Sequence, residues 1–182
     1  MVLIISKRRH LIRKIIKLMK YIPIMKITIR QMRKEDLQKL AEIYVLVYQK
    51  FDIGEKWTVE TSKKMLSHWF DKQPDLAFVA ESDGQVVGAF VAGIKPWWDG
   101  NHISDGEIFV HPDHQKNGIG KKLSIALYEK ALEKYDVISF DAFTFKKTKF
   151  PLQWYLSQGF KLNEDWTMIY GNVNSILTNL KK

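Results

Sequence analysis

One stretch constrains the fold of this chain more than any other. An apolar run, Glu107-Ile108-Phe109-Val110, is broken by Pro112, and a turn with two glycines, Gln115-Lys116-Asn117-Gly118-Ile119-Gly120, then leads into an amphipathic segment from Lys121 to Lys134. The run reads as a strand and the segment as a helix. A glycine turn at a helix start leaves backbone N–H groups without intrahelical acceptors and aimed the same way, so it can hold a phosphate. The turn lacks the Gly-Lys-Ser or Gly-Lys-Thr ending of a P-loop and the third glycine of a dinucleotide fingerprint, so those two phosphate-binding classes are set aside.

The rest of the chain supplies the elements that pack around this unit. Lys26 to Arg30 alternates apolar and polar residues as a strand does, and Lys34 to Tyr48 carries Leu37, Leu40, Ala41, Tyr44 and Val47 at helical spacing. Thr58 is the expected N-cap of a second helix reaching about Phe70. Leu76 to Glu81 and Gln85 to Ile94 are apolar runs joined through Asp83-Gly84, the pair that favours a tight hairpin. Residues 95–104, with Trp97-Trp98-Asp99-Gly100, read as a loop. Val137 to Phe143 reads as a strand, and Pro151 to Gln158 as a short helix stopped by Gly159. Phe160 to Leu162 and Trp166 to Tyr170 are expected as a closing strand pair. The order predicts an α/β fold with a mixed sheet.

Charge narrows the function classes. Of the net charge of +9, seven positive charges lie in residues 1–24, which contain no acid, so the remainder is nearly balanced. That remainder shows no basic stripe interleaved with aromatics, which argues against a nucleic-acid-binding fold. Within 1–24, Ile5, Ile12, Ile15, Ile16, Met19 and Ile22 recur at roughly helical spacing between the cations. Such a basic amphipathic segment reads either as a dispensable, loosely attached extension ahead of the first strand at Met25 or as a helix that lies weakly on an anionic membrane surface or a partner. Its longest unbroken apolar stretch, Val2 to Ile5, is too short for a signal-peptide core or a membrane span. The chain has no cysteine, hence no disulfide and no thiolate nucleophile, which suits a cytoplasmic location.

The string from Ile108 to Leu123, taken with Tyr155-Leu156-Ser157-Gln158-Gly159-Phe160, resembles the GNAT superfamily of acyl-CoA-dependent N-acetyltransferases. The motif of that family is Gln or Arg, two residues, Gly, one residue, Gly or Ala, after a strand that ends in Val-x-Pro. The resemblance runs from Lys26 to about Tyr170. It implies a three-layer α/β/α fold with a central mixed, mostly antiparallel sheet, a domain over 25–172, and a tail at 173–182. It also implies acetyl-CoA as acyl donor, bound by the backbone of Gln115, Lys116, Asn117, Gly118, Ile119 and Gly120, with Lys116, Lys121 and Lys122 adding charge. Main-chain groups of Ile108, Phe109 and Val110 would pair with the pantetheine arm.

The reaction so implied is direct acetyl transfer to a primary amine of a small molecule or peptide. A non-catalytic acyl-CoA-binding module is the other reading. An alkylamine of pKa about 10.4 costs roughly 4 to 5 kcal/mol to deprotonate at neutral pH, so a general base is expected. Glu107 is the best-placed acid for that role, acting directly or through water. Tyr155 stands where many members carry the tyrosine that protonates the departing thiolate. Thr148 replaces an asparagine that many members have seven residues earlier.

Asp105, two residues from Glu107, would share its face in a regular strand, and Asp99 and Asp141 could draw in a cationic acceptor. Trp97 and Trp98, being consecutive, face opposite ways, leaving one free to wall an acceptor site. Residues from Phe51 to Trp57 could supply the opposite wall. His111 and His114 lack a third ligand, so no metal site is expected. A homodimer is compatible with all of this.

Overall fold

The computed structural model describes residues 25–50, 54–146 and 149–182. These fall into two compact units that divide between Ala142 and Phe143.

In the first unit β1 (Ile27–Gln31) is followed by α1 (Asp36–Tyr48) and α2 (Val59–Lys72). Then come β2 (Ala77–Ser82), β3 (Gln85–Pro96), β4 (Asn101–Val110), α3 (Ile119–Tyr135) and β5 (Val137–Asp141). The strands form one sheet in the order β1-β2-β3-β4-β5. Pairing is antiparallel from β1 to β4 and parallel between β4 and β5. A parallel pair needs a crossover connection, and α3 provides it.

Side-chain alternation assigns the faces. Ala77, Val79, Ala89, Val91 and Phe109 point toward α1 and α2, where they meet Leu40, Ile43, Tyr44 and Leu66. Phe78, Ala80, Phe90, Ala92 and Val110 point the other way, onto Ile119, Leu123, Leu127 and Ala131 of α3. The result is the expected three-layer α/β/α arrangement with a mixed sheet. Burial of each Leu, Ile or Phe contributes about 1.5–3 kcal/mol, so both layers are strongly held.

Local signals explain the element starts. Thr58 does cap α2: its side chain accepts the Thr61 N–H while Thr61 returns a bond to the Thr58 N–H. At the start of α1, Asp36 is buried and bound at 2.8 Å by Arg30, which also reaches Glu81 on β2. That ion pair ties α1 to the sheet edge. Asp83 and Gly84 both have positive φ, 49° and 83°, as the tight β2–β3 hairpin requires.

Two expectations are corrected. Residues 95–104 are not a loop: β3 runs to Pro96, β4 starts at Asn101, and the turn is closed by the Trp97 N–H on the Gly100 carbonyl at 2.8 Å. Asn101, Ser104 and Asp105 are poor strand formers, but pairing of Ile94 with Ile103 and Lys95 with His102 overrides that preference.

The strand pair expected at Phe160–Leu162 and Trp166–Tyr170 does not form. Among the described residues the second unit contains no strand, only α4 (Lys149–Ser157) and α5 (Val173–Leu180). Two short strands without a third neighbour or a covered apolar face are marginal, and residues 161–182 are all exposed. Gly159, at φ 97°, does terminate α4. Residues 173–182, read as a tail, carry α5, capped by the Asn172 side chain on the Ser175 N–H at 3.1 Å.

Candidate functional site

The glycine turn is built as its sequence implies. At the end of β4, the Gln115 side-chain amide donates to the Val110 carbonyl at 2.9 Å, and a single helical turn, Pro112–His114, folds between them. Lys116 and Gly118 take left-handed conformations with φ 64° and 75°. Gly118 is the N-cap of α3, no side chain caps that helix, and its first turn carries no acid. The first-turn N–H groups therefore point outward with the positive end of the helix dipole behind them. Among the described residues, apart from its chain neighbours and the backbone of its own helix, no atom lies within 4 Å of where a Gly118 Cβ would sit, so the space in front of the turn is open. Lys116, Lys121 and Lys122 are exposed beside it, whereas the Ile119 side chain is in the core and leaves only its backbone to the turn. Together these features fit an anionic phosphate group.

A few residues up the same strand a β-bulge sets the position of Glu107. β3 and β4 shift register between Val91 and Gly93, and Asp105 and Gly106 both have positive φ, 51° and 98°. The extra residue reverses the alternation, so Ile103 and Ile108, five positions apart, both pack on the α3 side. Glu107, two residues from Phe109, lies on the α1 side. The expected shared face of Asp105 and Glu107 therefore gives way to the bulge, although the Asp105 charge still raises the Glu107 pKa.

Glu107 sits beneath two tyrosines one turn apart on α1. The Tyr48 hydroxyl donates to Glu107 Oε2 at 3.1 Å. The Tyr44 hydroxyl is fully buried, has no hydrogen-bond partner among the described residues, and lies near enough to the carboxylate to lower its pKa. Tyr44 and Tyr48 stack at 4.3 Å, and Trp57 and Phe109 meet Tyr44 edge-on, both at 5.2 Å. Burial pushes the Glu107 carboxyl up to about 7, partly offset by the two hydroxyls and reinforced by Glu55 and Asp105. A carboxylate that titrates near neutrality is a competent general base. Burial likewise pushes both tyrosines upward, so they remain neutral.

The other sequence candidates separate. Asp99 and Asp141, read as anions to draw in a cationic acceptor, are engaged by His102: Nδ1 lies 2.7 Å from Asp141 and Nε2 3.0 Å from Asp99. Lys95 also reaches Asp141, at 3.4 Å. These partners raise the His102 pKa, the Asp141 hydrogen bond most of all, and a carboxylate faces each ring nitrogen, an arrangement that favours the doubly protonated imidazole. Trp98 projects into solvent with 86% of its surface exposed, while Trp97, also exposed, has the Lys95 ammonium 4.4 Å from its ring centre. Tyr155, in the second unit, packs against Trp154 and Phe160. Thr148, residues 51–53 and residues 1–24 lie outside the described residues. His111 Nδ1 accepts the Asp113 N–H at 3.2 Å. Among the described residues no group of three or more His, Asp or Glu side chains is arranged to hold a metal ion.

Sequence reasoning missed Tyr44, Tyr48 and His102. Tyr44 lies on the helical spacing that set out the apolar face of α1, but nothing local ties Tyr48, at the end of that helix, to a glutamate 59 residues away.

An α/β unit with an uncapped glycine turn after a strand, and a partly buried near-neutral carboxylate on that strand, is suited to holding a phosphate-bearing group near a proton acceptor. The chain belongs to the acetyltransferase (GNAT) family, whose model matches residues 37–160. It is 33% identical over 109 residues to the L-amino acid N-acyltransferase MnaT of Escherichia coli (strain K12), covering 57% of this chain and 62% of that protein. It is 31% identical over 109 residues to the L-methionine sulfoximine/L-methionine sulfone acetyltransferase of Salmonella typhimurium (strain LT2), covering 57% and 63%. The chain thus spans less than two thirds of the length of these relatives. In fold it is similar to PH1933 from Pyrococcus horikoshii OT3, with a TM-score of 0.62 and 25% identity over 75% of this chain and 89% of that one. It is also similar to the PaiA N-acetyltransferase of Thermoplasma acidophilum, solved in complex with coenzyme A, with a TM-score of 0.62 and 20% identity over 77% and 92%.

Proposed function

We propose that this protein transfers an acetyl group from acetyl-CoA directly to the primary amine of a small molecule or peptide. The observation that carries the reading is Glu107: a partly buried carboxyl pushed up to about 7 on the strand that leads into an uncapped, open glycine turn. The named activities of its relatives, an amino acid N-acyltransferase and a methionine sulfoximine acetyltransferase, support it.

In this reading each residue has one role. The backbone of Gln115, Lys116, Asn117, Gly118, Ile119 and Gly120 holds the pyrophosphate, with Lys116, Lys121 and Lys122 adding charge at its rim. The main chain of Ile108, Phe109 and Val110 pairs with the pantetheine arm and brings the thioester toward Glu107. Glu107 takes a proton from the acceptor ammonium, directly or through one water, and the freed amine attacks the thioester carbonyl. The departing thiolate receives a proton from Tyr155. With no cysteine in the chain, transfer proceeds without a thioester on the enzyme. Asp105 and Trp97 belong to the acceptor side of this reading. Trp98 and Asp99, at the β3–β4 turn, and Asp141, on β5, belong to its periphery.

The catalytic domain of this reading is 25–172. Residues 1–24 form a basic extension able to touch an anionic membrane surface, and the location is cytoplasmic. Among the described residues no helix is long and apolar enough to cross a membrane.

The test is CoA release from acetyl-CoA over a panel of amino acids, diamines, aminoglycosides and peptides, repeated with Tyr155→Phe. The reading predicts turnover with at least one acceptor, and a loss in kcat of about 10²- to 10⁴-fold in the variant at neutral pH. Binding of acetyl-CoA without CoA release for any acceptor would favour the non-catalytic module instead.

A further inference from the structure

We propose that Tyr48 is a positioning residue for Glu107: its hydroxyl anchors Oε2 of the carboxylate and leaves Oε1 as the oxygen that receives the acceptor's proton. The proposal rests on the reading of Glu107 as general base and extends it to a residue on a different element. Three observations carry it. Tyr48 donates to Oε2 at 3.1 Å across 59 residues of sequence, a contact between α1 and the β4 bulge. The Tyr48 ring is itself fixed, stacked on Tyr44 at 4.3 Å and edge-on to Trp57 at 6.2 Å. Glu107 follows directly on Gly106, whose place in the bulge sets how the glutamate leaves the strand.

Without an anchor, a glutamate side chain samples several rotamers, and a base displaced by an ångström loses much of its rate advantage. An aromatic hydroxyl on a helix already packed into the core supplies the anchor with little added conformational cost. It also stabilises the ionised form, opposing the burial that favours the neutral acid. The titratable groups facing Glu107 are Tyr44 and Tyr48 from α1, Glu55 from the segment before α2, and Asp105 from β4. Its antiparallel partner on β3, Val91, is apolar. Of these groups only the tyrosine hydroxyls favour the carboxylate, and only Tyr48 meets it at hydrogen-bond distance.

The experiment is a ¹³C NMR titration of protein labelled at glutamate carboxyl carbons, with the Glu107 signal assigned by its loss in Glu107→Gln. The wild type should titrate near 7, and Tyr48→Phe near 8, since one hydrogen bond to a carboxylate corresponds to about tenfold in the proton equilibrium. The same midpoint in both proteins overturns the proposal. If Tyr48→Phe does not fold, 3-fluorotyrosine at position 48 keeps the ring and strengthens the donor. The midpoint should then fall, and an unchanged midpoint overturns the proposal equally.

Kinetics separate this result from the underlying reading. In Tyr48→Phe the acidic limb of kcat/KM should move up in pH with the NMR midpoint, giving about fivefold lower kcat/KM at pH 7 and near recovery above pH 9. A loss equal at every pH marks a structural role and overturns the proposal. An acidic limb that persists in Glu107→Gln removes Glu107 as the base, whatever the NMR coupling shows.

Discussion

A side chain at Gly106 would collide with the carbonyl oxygen of Val91 on the neighbouring strand. The two backbones approach so closely because the bulge in β4 pulls Gly106 against β3, at φ 98°, where only glycine sits without strain. Gly106→Ala should therefore cost about 2–4 kcal/mol in urea unfolding, combining a left-handed penalty with a backbone clash. Because Glu107 is the next residue, the variant should also lose the Tyr48–Glu107 hydrogen bond. Stability within 0.5 kcal/mol of wild type would mean the bulge is more plastic than this packing allows.

The imidazole of His102 bridges Asp99 at the β3–β4 turn and Asp141 on β5, and this clamp should respond to pH. The His102 pKa is raised, chiefly by the Asp141 hydrogen bond, so its stabilisation is fully present below the unfolded value near 6.5. It is lost as pH rises through the folded value. For Asp141 burial is the largest single effect and pushes the pKa up, but the hydrogen bonds and charges of His102 and Lys95 together outweigh it and the net shift is down. Its share is thus lost only in acid, below the ordinary aspartate range. The stability difference between wild type and His102→Gln, followed by urea unfolding, should be largest near pH 5 to 6 and shrink above pH 7. A difference that grows with pH would show that His102 is bound as the neutral imidazole.

Gly118 offers a way to separate binding from folding. Its φ of 75° and the open space around its Cβ position match those of Gly84, at φ 83°, in the β2–β3 hairpin. Valine at either site should cost a similar 1–2 kcal/mol in stability. Only Gly118→Val should weaken acetyl-CoA binding, by at least tenfold in calorimetry, because its side chain enters the space in front of the helix N-terminus. Equal affinities in the two variants would move the phosphate site away from this turn.

Much of this fold was readable from local pattern. The Asp83-Gly84 hairpin, the Thr58 cap and the helical spacing from Leu37 to Val47 each express chemistry confined to a few neighbouring residues. The first half of β4 was hidden because Asn101, Ser104 and Asp105 resist the strand state individually, and only pairing with β3 enforces it. The same bulge made the spacing of Asp105 and Glu107 a poor guide to their faces. Phe160–Leu162 and Trp166–Tyr170 have strand-like composition, but composition alone provides no partner strand. Within the candidate site the glycine turn was legible as a contiguous motif. The tyrosines over Glu107, and the His102 bridge to Asp141, arise from contacts across 59 and 39 residues and leave no local trace.

The central claim is that Glu107 removes the acceptor's proton, and the pH dependence of kcat/KM for acetyl transfer addresses it most directly. With an acceptor that gives turnover, the wild type should show an acidic limb near 7, the value to which burial raises this carboxyl. Glu107→Gln should lose that limb and fall about 10²- to 10⁴-fold at pH 7.5 while retaining acetyl-CoA affinity. A Glu107→Gln enzyme with the wild-type profile and rate would contradict the account.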